Sequence, residues 1–285
     1  MSIEWALVGF TLFVGLSVGT FGGVVATEWW GKATEVRLPG AIAALVALAI
    51  GGFSSVLHLG HPERIFGALG HPTSGIFMES LMLGLFGLDI LAYLIAMRRD
   101  ASDQRRKTIA TIGMVPAILL AFAVGDTYVL ASRPAWDTLI LPVIYLVSAG
   151  VMGCFSLSVL IARTKVVETI ATTTAAVNRV TVYALGVQTV LLIAYLVHLA
   201  IAPYADASRS ATRVLAGDLA PLFWIGLVLI GLLAPAMLTT LLGRKKAENL
   251  TPLSSAQLGL LCVLVAGVAF RVMMFSLGSS IRHFF

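Results

Sequence analysis

The residues best suited to do chemistry lie in the stretch Ser55-Val56-Leu57-His58-Leu59-Gly60-His61-Pro62-Glu63-Arg64, with Glu79 fifteen residues beyond Arg64. The stretch sets an imidazole, a guanidinium and a carboxyl group at the junction of two long apolar runs. Histidine changes charge near neutral pH, and a neighbouring carboxylate passes protons on to water. Ionisable groups are costly inside a bilayer. Several at one depth therefore suit the handling of protons, a polar headgroup or a redox carrier better than the filling of lipid.

The elements that must position these groups follow from composition. Of 285 residues, 59% are hydrophobic and 12% are charged, and the mean hydropathy is +0.97, so the bilayer is the solvent. A net charge of +5 raises the question of nucleic acid. The lysines and arginines sit in short loops between apolar runs, which is a topology signal, and no nucleic acid partner is expected. Cys154 and Cys262 both fall inside apolar runs, cannot form a metal cluster alone, and read as small buried hydrophobes; no metal site is expected. The first apolar run has no basic n-region and no convincing cleavage pattern, and reads as a permanent helix.

Eight runs are long enough to cross the hydrocarbon layer: near 5–27, 39–59, 75–97, 108–131, 138–162, 181–202, 219–242 and 254–281. The expected fold is an all-α polytopic membrane protein in one domain, 1–285. Pro39, Pro221 and Pro252 stand at or just before helix starts. Thirteen basic residues follow helices one, three, five and seven, among them Lys32, Arg37, Arg106, Lys107 and Arg179; five lie on the other side, and Arg271 is left inside helix eight. The excess places the basic loops in the cytoplasm and both termini outside, in the cell's inner membrane. Trp5, Trp29, Trp30, Trp136 and Trp224 lie near span ends, as interfacial anchors do. Ser55-Val56-Leu57-His58-Leu59 and Tyr195-Leu196-Val197-His198-Leu199 close the second and sixth helices, and helices one and five share glycine- and serine-rich middles. This weak echo suggests two parallel four-helix halves.

With that topology, His58, Glu79, Asp126, His198 and Arg271 share the outer leaflet, drawn from five helices, while Asp89 lies toward the cytoplasm. Each has a plain structural reading. Glu79 meets the dipole of helix three, Asp126 pairs with Arg133 or Arg271, His198 is a packed histidine, and Arg64 and Arg271 snorkel or counterbalance charge. Their collection at one depth favours a polar pocket near the outer surface. A quinol needs such a place: an apolar slot, hydrogen-bonding groups at its oxygens, and a titrating group to accept its protons.

His58-Leu59-Gly60-x-Pro62-x-Arg64, followed by Ser74 and Glu79, resembles the signature of the membrane anchor subunits of dimethyl sulfoxide reductase, the DmsC family. Length, eight helices and outside termini fit that family over the whole chain, and the motif covers about twenty-five residues. The resemblance implies a subunit that oxidises menaquinol without haem or iron–sulfur cluster of its own. It implies two partners, a four-cluster, ferredoxin-like iron–sulfur subunit and a molybdopterin catalytic subunit. His58 and Glu79 match the family's quinol-site histidine and glutamate, and Arg271 in Phe270-Arg271-Val272 resembles its arginine in the last helix. The chain departs from the family's Ser-Trp-Leu-Ser-Arg-Glu, having Ser74-Gly75-Ile76-Phe77-Met78-Glu79 instead, which changes the headgroup contacts.

The expectation is therefore a membrane anchor and quinol-oxidising subunit of an anaerobic respiratory reductase whose terminal catalytic site lies elsewhere. His58 and Glu79 would carry the proton chemistry, with Arg64 and Arg271 as further quinol-binding residues. Three rivals remain at this stage, one of them a plain anchor with no quinone site whose outer face serves only for docking. A b-type cytochrome would use His58 and His198 as haem ligands, and a secondary transporter would use the repeat interface.

Overall fold

The computed structural model describes residues 3–58, 70, 73–164, 167–201, 205–244 and 251–278. Among them the chain is all-helical. The helices are α1 (Trp5–Trp30), α2 (Arg37–His58), α3 (Gly75–Arg98), α4 (Asp103–Asp126), α5 (Ile140–Arg163), α6 (Val167–Ile201), α7 (Ala205–Ala216), α8 and α9 (Pro252–Leu277). Helix α8 joins a π-helical stretch, Leu222–Leu233, to an α-helical one, Ala234–Arg244. Among the described residues, eight helices are long and apolar enough to cross a membrane. Among the described residues the short α7 is the one α-helix the apolar runs did not announce, because half of its 12 residues are polar.

Local chemistry explains where several helices begin. Ser74 accepts a hydrogen bond from the Phe77 amide and caps α3, Ser102 does the same for α4 through Arg105, and Thr251 does so for α9 through Ser254. Each cap satisfies an amide that the first turn would otherwise leave bare. The cap at Ser102 also corrects a boundary. Helix four starts at Asp103 rather than 108 and ends at Asp126 rather than 131, because charged residues one turn beyond the apolar run still continue a capped helix. Helix six begins at Val167, well before 181, which moves Arg179 from a loop into a helix. Arg37, likewise counted as a loop residue, is the first residue of α2.

The two suspected halves have matching packing partners. In the first, α1 packs on α2 and α4, and α3 packs on α4; in the second, α5 packs on α6 and α9, and α8 packs on α9. The halves meet where α1 crosses α5. A Cβ on Gly19 would lie 1.9 Å from the Ala149 carbonyl oxygen, and one on Gly153 would lie 2.2 Å from the Gly19 oxygen. Only glycine permits that approach, which suits association in lipid, where close backbone contact replaces the hydrophobic drive available in water. Thr20 donates to Ser156 across the same interface at 2.9 Å.

Trp136 is not an interfacial anchor. It is 3% exposed, donates its indole N–H to the Met274 carbonyl at 2.8 Å, and lies beneath the Arg133 guanidinium. The other four tryptophans are 40–61% exposed. Cys154 and Cys262 are free thiols, half-buried.

Candidate functional site

A cavity of about 470 Å³ opens where the N-terminal turns of α1 and α3 meet the C-terminal ends of α2 and α4. Leu7, Phe10, Val56, Ile76 and Leu83 supply apolar walls, and Ser55, Glu79, Ser80, Thr127 and Tyr128 supply polar groups. Glu79 is the single ionisable carboxyl group among the described lining residues. It sits one turn into α3, and Gly75 lets that first turn approach Thr127, since a Cβ there would stand 3.0 Å from the Thr127 hydroxyl.

Thr127 Oγ1 lies 2.7 Å from Glu79 Oε1 and 2.9 Å from the Ala123 carbonyl oxygen. A hydroxyl has one proton to give. When Glu79 is ionised, Thr127 donates to it; when Glu79 is protonated, its O–H donates to Thr127, which turns its own proton to Ala123. The same atoms therefore satisfy both protonation states of the carboxyl group without moving a helix.

Behind the cavity wall lies a second charge. Arg271 is 1% exposed; its Nε donates to the Thr11 hydroxyl at 2.5 Å, one terminal nitrogen to the Thr11 carbonyl at 2.9 Å and the other to the Gly267 carbonyl at 2.9 Å. The guanidinium stands 4.8 Å from the ring centre of Tyr145, which stacks on Tyr128 at 6.2 Å. Among the described residues no carboxylate pairs with Arg271. It does not line the cavity; it faces it through two stacked tyrosines. Burial raises the titration of Tyr128 above the ordinary tyrosine value, the neighbouring Tyr145 and Glu79 add to this, and Arg271 opposes it. The Tyr128 hydroxyl is therefore a neutral group at physiological pH.

The remaining predicted residues divide. His58 is the last residue of α2, three positions after the lining Ser55, but its side chain, like all of Arg64, lies outside the described residues. His198 stacks on Tyr195 and contacts the Pro134 carbonyl at 3.2 Å. Asp126 is exposed at the end of α4, and Arg271 takes Thr11 and Gly267 in place of Asp126 as partners. Asp89 packs toward Gly113 from the far half of α3, with one buried carboxyl oxygen lacking a hydrogen-bond partner.

Sequence reasoning missed a cluster at the opposite end of the bundle. Glu28, 6% exposed, accepts from Tyr93 Oη at 2.6 Å and pairs with Arg37, 4% exposed, at 3.0 Å; Arg106 stands 3.7 Å from the same carboxylate. Arg37 also donates to the Thr27 carbonyl at 2.8 Å. The signal was a carboxylate in the last turns of the first apolar run, with arginines at the starts of the second and fourth helices. Counting those arginines only for topology hid it.

No curated protein matches the chain. A family model described as "Polysulphide reductase, NrfD" matches residues 1–277, nearly the whole length. With eight apolar helices and a match on that scale, the chain belongs to the NrfD family of polytopic membrane proteins.

Proposed function

We propose that this NrfD-family chain is the membrane anchor of a respiratory reductase complex and oxidises quinol in the Glu79 cavity. The cavity's size falls in the range of small-molecule sites. Apolar walls carrying five polar side chains, with Glu79 and Thr127 paired, match a flat ring carrying two oxygens. One quinol loses two electrons and two protons. The electrons pass to an iron–sulfur cluster of a partner subunit at this end of the bundle, and from there to a molybdopterin catalytic subunit. Other NrfD-type anchors serve such assemblies, and the resemblance to dimethyl sulfoxide reductase anchors points to menaquinol as the donor.

In this reading Glu79 receives a quinol proton and releases it to water, and Thr127 reorients to serve both states. The resemblance to dimethyl sulfoxide reductase anchors assigns the proton of the other oxygen to His58, and Arg64 is kept as a further quinol-binding residue. Arg271 acts through Tyr145 and Tyr128, holding positive potential behind the site so that negative charge on the ring or on Glu79 is stabilised as the protons leave.

The observation that carries the proposal is the Glu79–Thr127–Ala123 arrangement, a carboxyl group in a cavity at the end of the bundle with a partner for either protonation state. The test is Glu79→Gln in the assembled complex. Quinol-dependent turnover should fall about 100-fold while a quinone analogue still binds. Unchanged turnover would end the proposal.

A further inference from the structure

Far from the Glu79 cavity, a groove of about 230 Å³ runs along the outside of the bundle toward the basic end. Its floor is the glycine-rich crossing of α1 and α5, and its walls come from Met114 and Ile118 of α4 and Val177 and Val180 of α6. Ile118, Val180 and Trp30 are 40–48% exposed, so the groove opens sideways to the membrane. The lining reaches from Val18 to Trp30 along α1, about 18 Å at 1.5 Å per residue, close to the depth of one leaflet of a hydrocarbon core about 30 Å thick. None of its lining residues is charged.

Charge stands at its mouth instead. Lys107 lies on the same face of α4 as Met114 and Ile118, two to three turns nearer the basic end, and its ammonium sits 3.8 Å over the Trp29 ring. Trp29 is fixed by an indole hydrogen bond to Thr111 at 3.0 Å and is followed by Trp30, which lines the groove. The nearby acids are already engaged: Asp103 with Arg106, and Glu28 with Arg37. Lys107 is half-buried and has no carboxylate partner among the described residues, and Lys32 lies two residues past Trp30. An apolar slot one leaflet deep, ending at a tryptophan pair and an uncompensated ammonium, is complementary to one ligand chemistry: an acyl chain carrying an anionic headgroup.

We propose that this groove binds the acyl chain of an anionic phospholipid, with its phosphate beside Lys107 and Trp30. The site is independent of the quinol reading, since its lining holds no histidine or carboxylate to accept a quinol's protons. The floor is shaped to be filled: a Cβ on Gly150 would meet nothing within 4 Å, and one on Gly22 would touch only the end of Met114 at 3.7 Å.

The test is native mass spectrometry of the detergent-purified protein with added phosphatidylglycerol or phosphatidylcholine of equal chain length. The native protein should retain one phosphatidylglycerol, preferred over phosphatidylcholine about fivefold for the one ammonium. Lys107→Gln should retain lipid but lose the preference. Gly150→Leu, and separately Ile118→Trp from the wall, should lose retention of both lipids while the thermal unfolding midpoint in detergent stays near the native value, which shows that the variants are folded. Equal retention by either filled variant, absence of a phosphatidylglycerol preference in the native protein, or retention of quinone in place of phospholipid would overturn the proposal.

Discussion

The two ends of the bundle each hold a buried or half-buried carboxyl group, and they treat it in opposite ways. Glu28 is enclosed by Arg37, Arg106 and a tyrosine hydroxyl, so its charge is compensated on every side and four helices are tied together through it. Glu79 has one hydroxyl for company and a cavity beside it. A compensated carboxylate has little reason to change state; an under-compensated one beside a ligand-sized space is poised to. The difference separates a structural charge from a chemical one more surely than the residue type does.

The largest effect should come from the compensated end. Glu28→Ala leaves the buried Arg37 guanidinium without its counter-charge, which costs about 3–5 kcal/mol, while Arg106 keeps Asp103; thermal unfolding in detergent should show a strongly lowered midpoint. If the variant were as stable as the native protein, the distinction between the ends would collapse. At the other end, Glu79→Gln keeps the shape of the side chain and a hydrogen bond to Thr127. Its effect should appear as turnover, about 100-fold or about 2.7 kcal/mol of barrier, with stability near the native value.

Thr127→Val sharpens the same contrast. It removes the group that satisfies both states of Glu79, and we expect about a tenfold loss of quinol oxidation, about 1.4 kcal/mol, together with a flattened or displaced pH–rate profile. A purely structural threonine would lower stability and leave the profile in place. The smallest effect belongs to the exposed pair at the end of α7, where Arg213 holds Asp218 through two hydrogen bonds of 2.9 and 2.7 Å. Hydrogen bonding to Arg213 lowers the Asp218 titration below the ordinary carboxylate value. Its contribution to stability is thus present above about pH 4 and fades as pH falls through the lowered value. Exposure and salt screening keep it small. Arg213→Gln should abolish that acid-side component in an unfolding titration while leaving the midpoint at neutral pH nearly unchanged.

Much of this architecture was legible in the chain. Eight apolar runs of sufficient length became eight spanning helices, and Glu79 was singled out from its place one turn inside the third. The local signals failed where partners are distant. Helix four was drawn through Thr127 and Tyr128, which hid the two residues that complete the cavity, because the apolar run continues past the point where the capped helix starting at Asp103 ends. Trp136 read as an anchor because aromatic residues near span ends usually are; the loop that carries it folds inward under Arg133 against α9. Arg271 stood out as an intramembrane charge, but nothing in its neighbours along the chain announces Thr11, 260 positions away, as its principal partner.

Sequence alone determined how many times the chain crosses the bilayer, since that depends on the transfer of successive side chains into lipid and is a property of each run by itself. It also established which runs carry a charge. Which of those charges is answered by a counter-charge, and which faces open space, was decided only when the helices packed. Pairing depends on the rotation and depth of several helices at once, set by contacts such as that of Gly19 against Ala149, and no single stretch of residues contains that information.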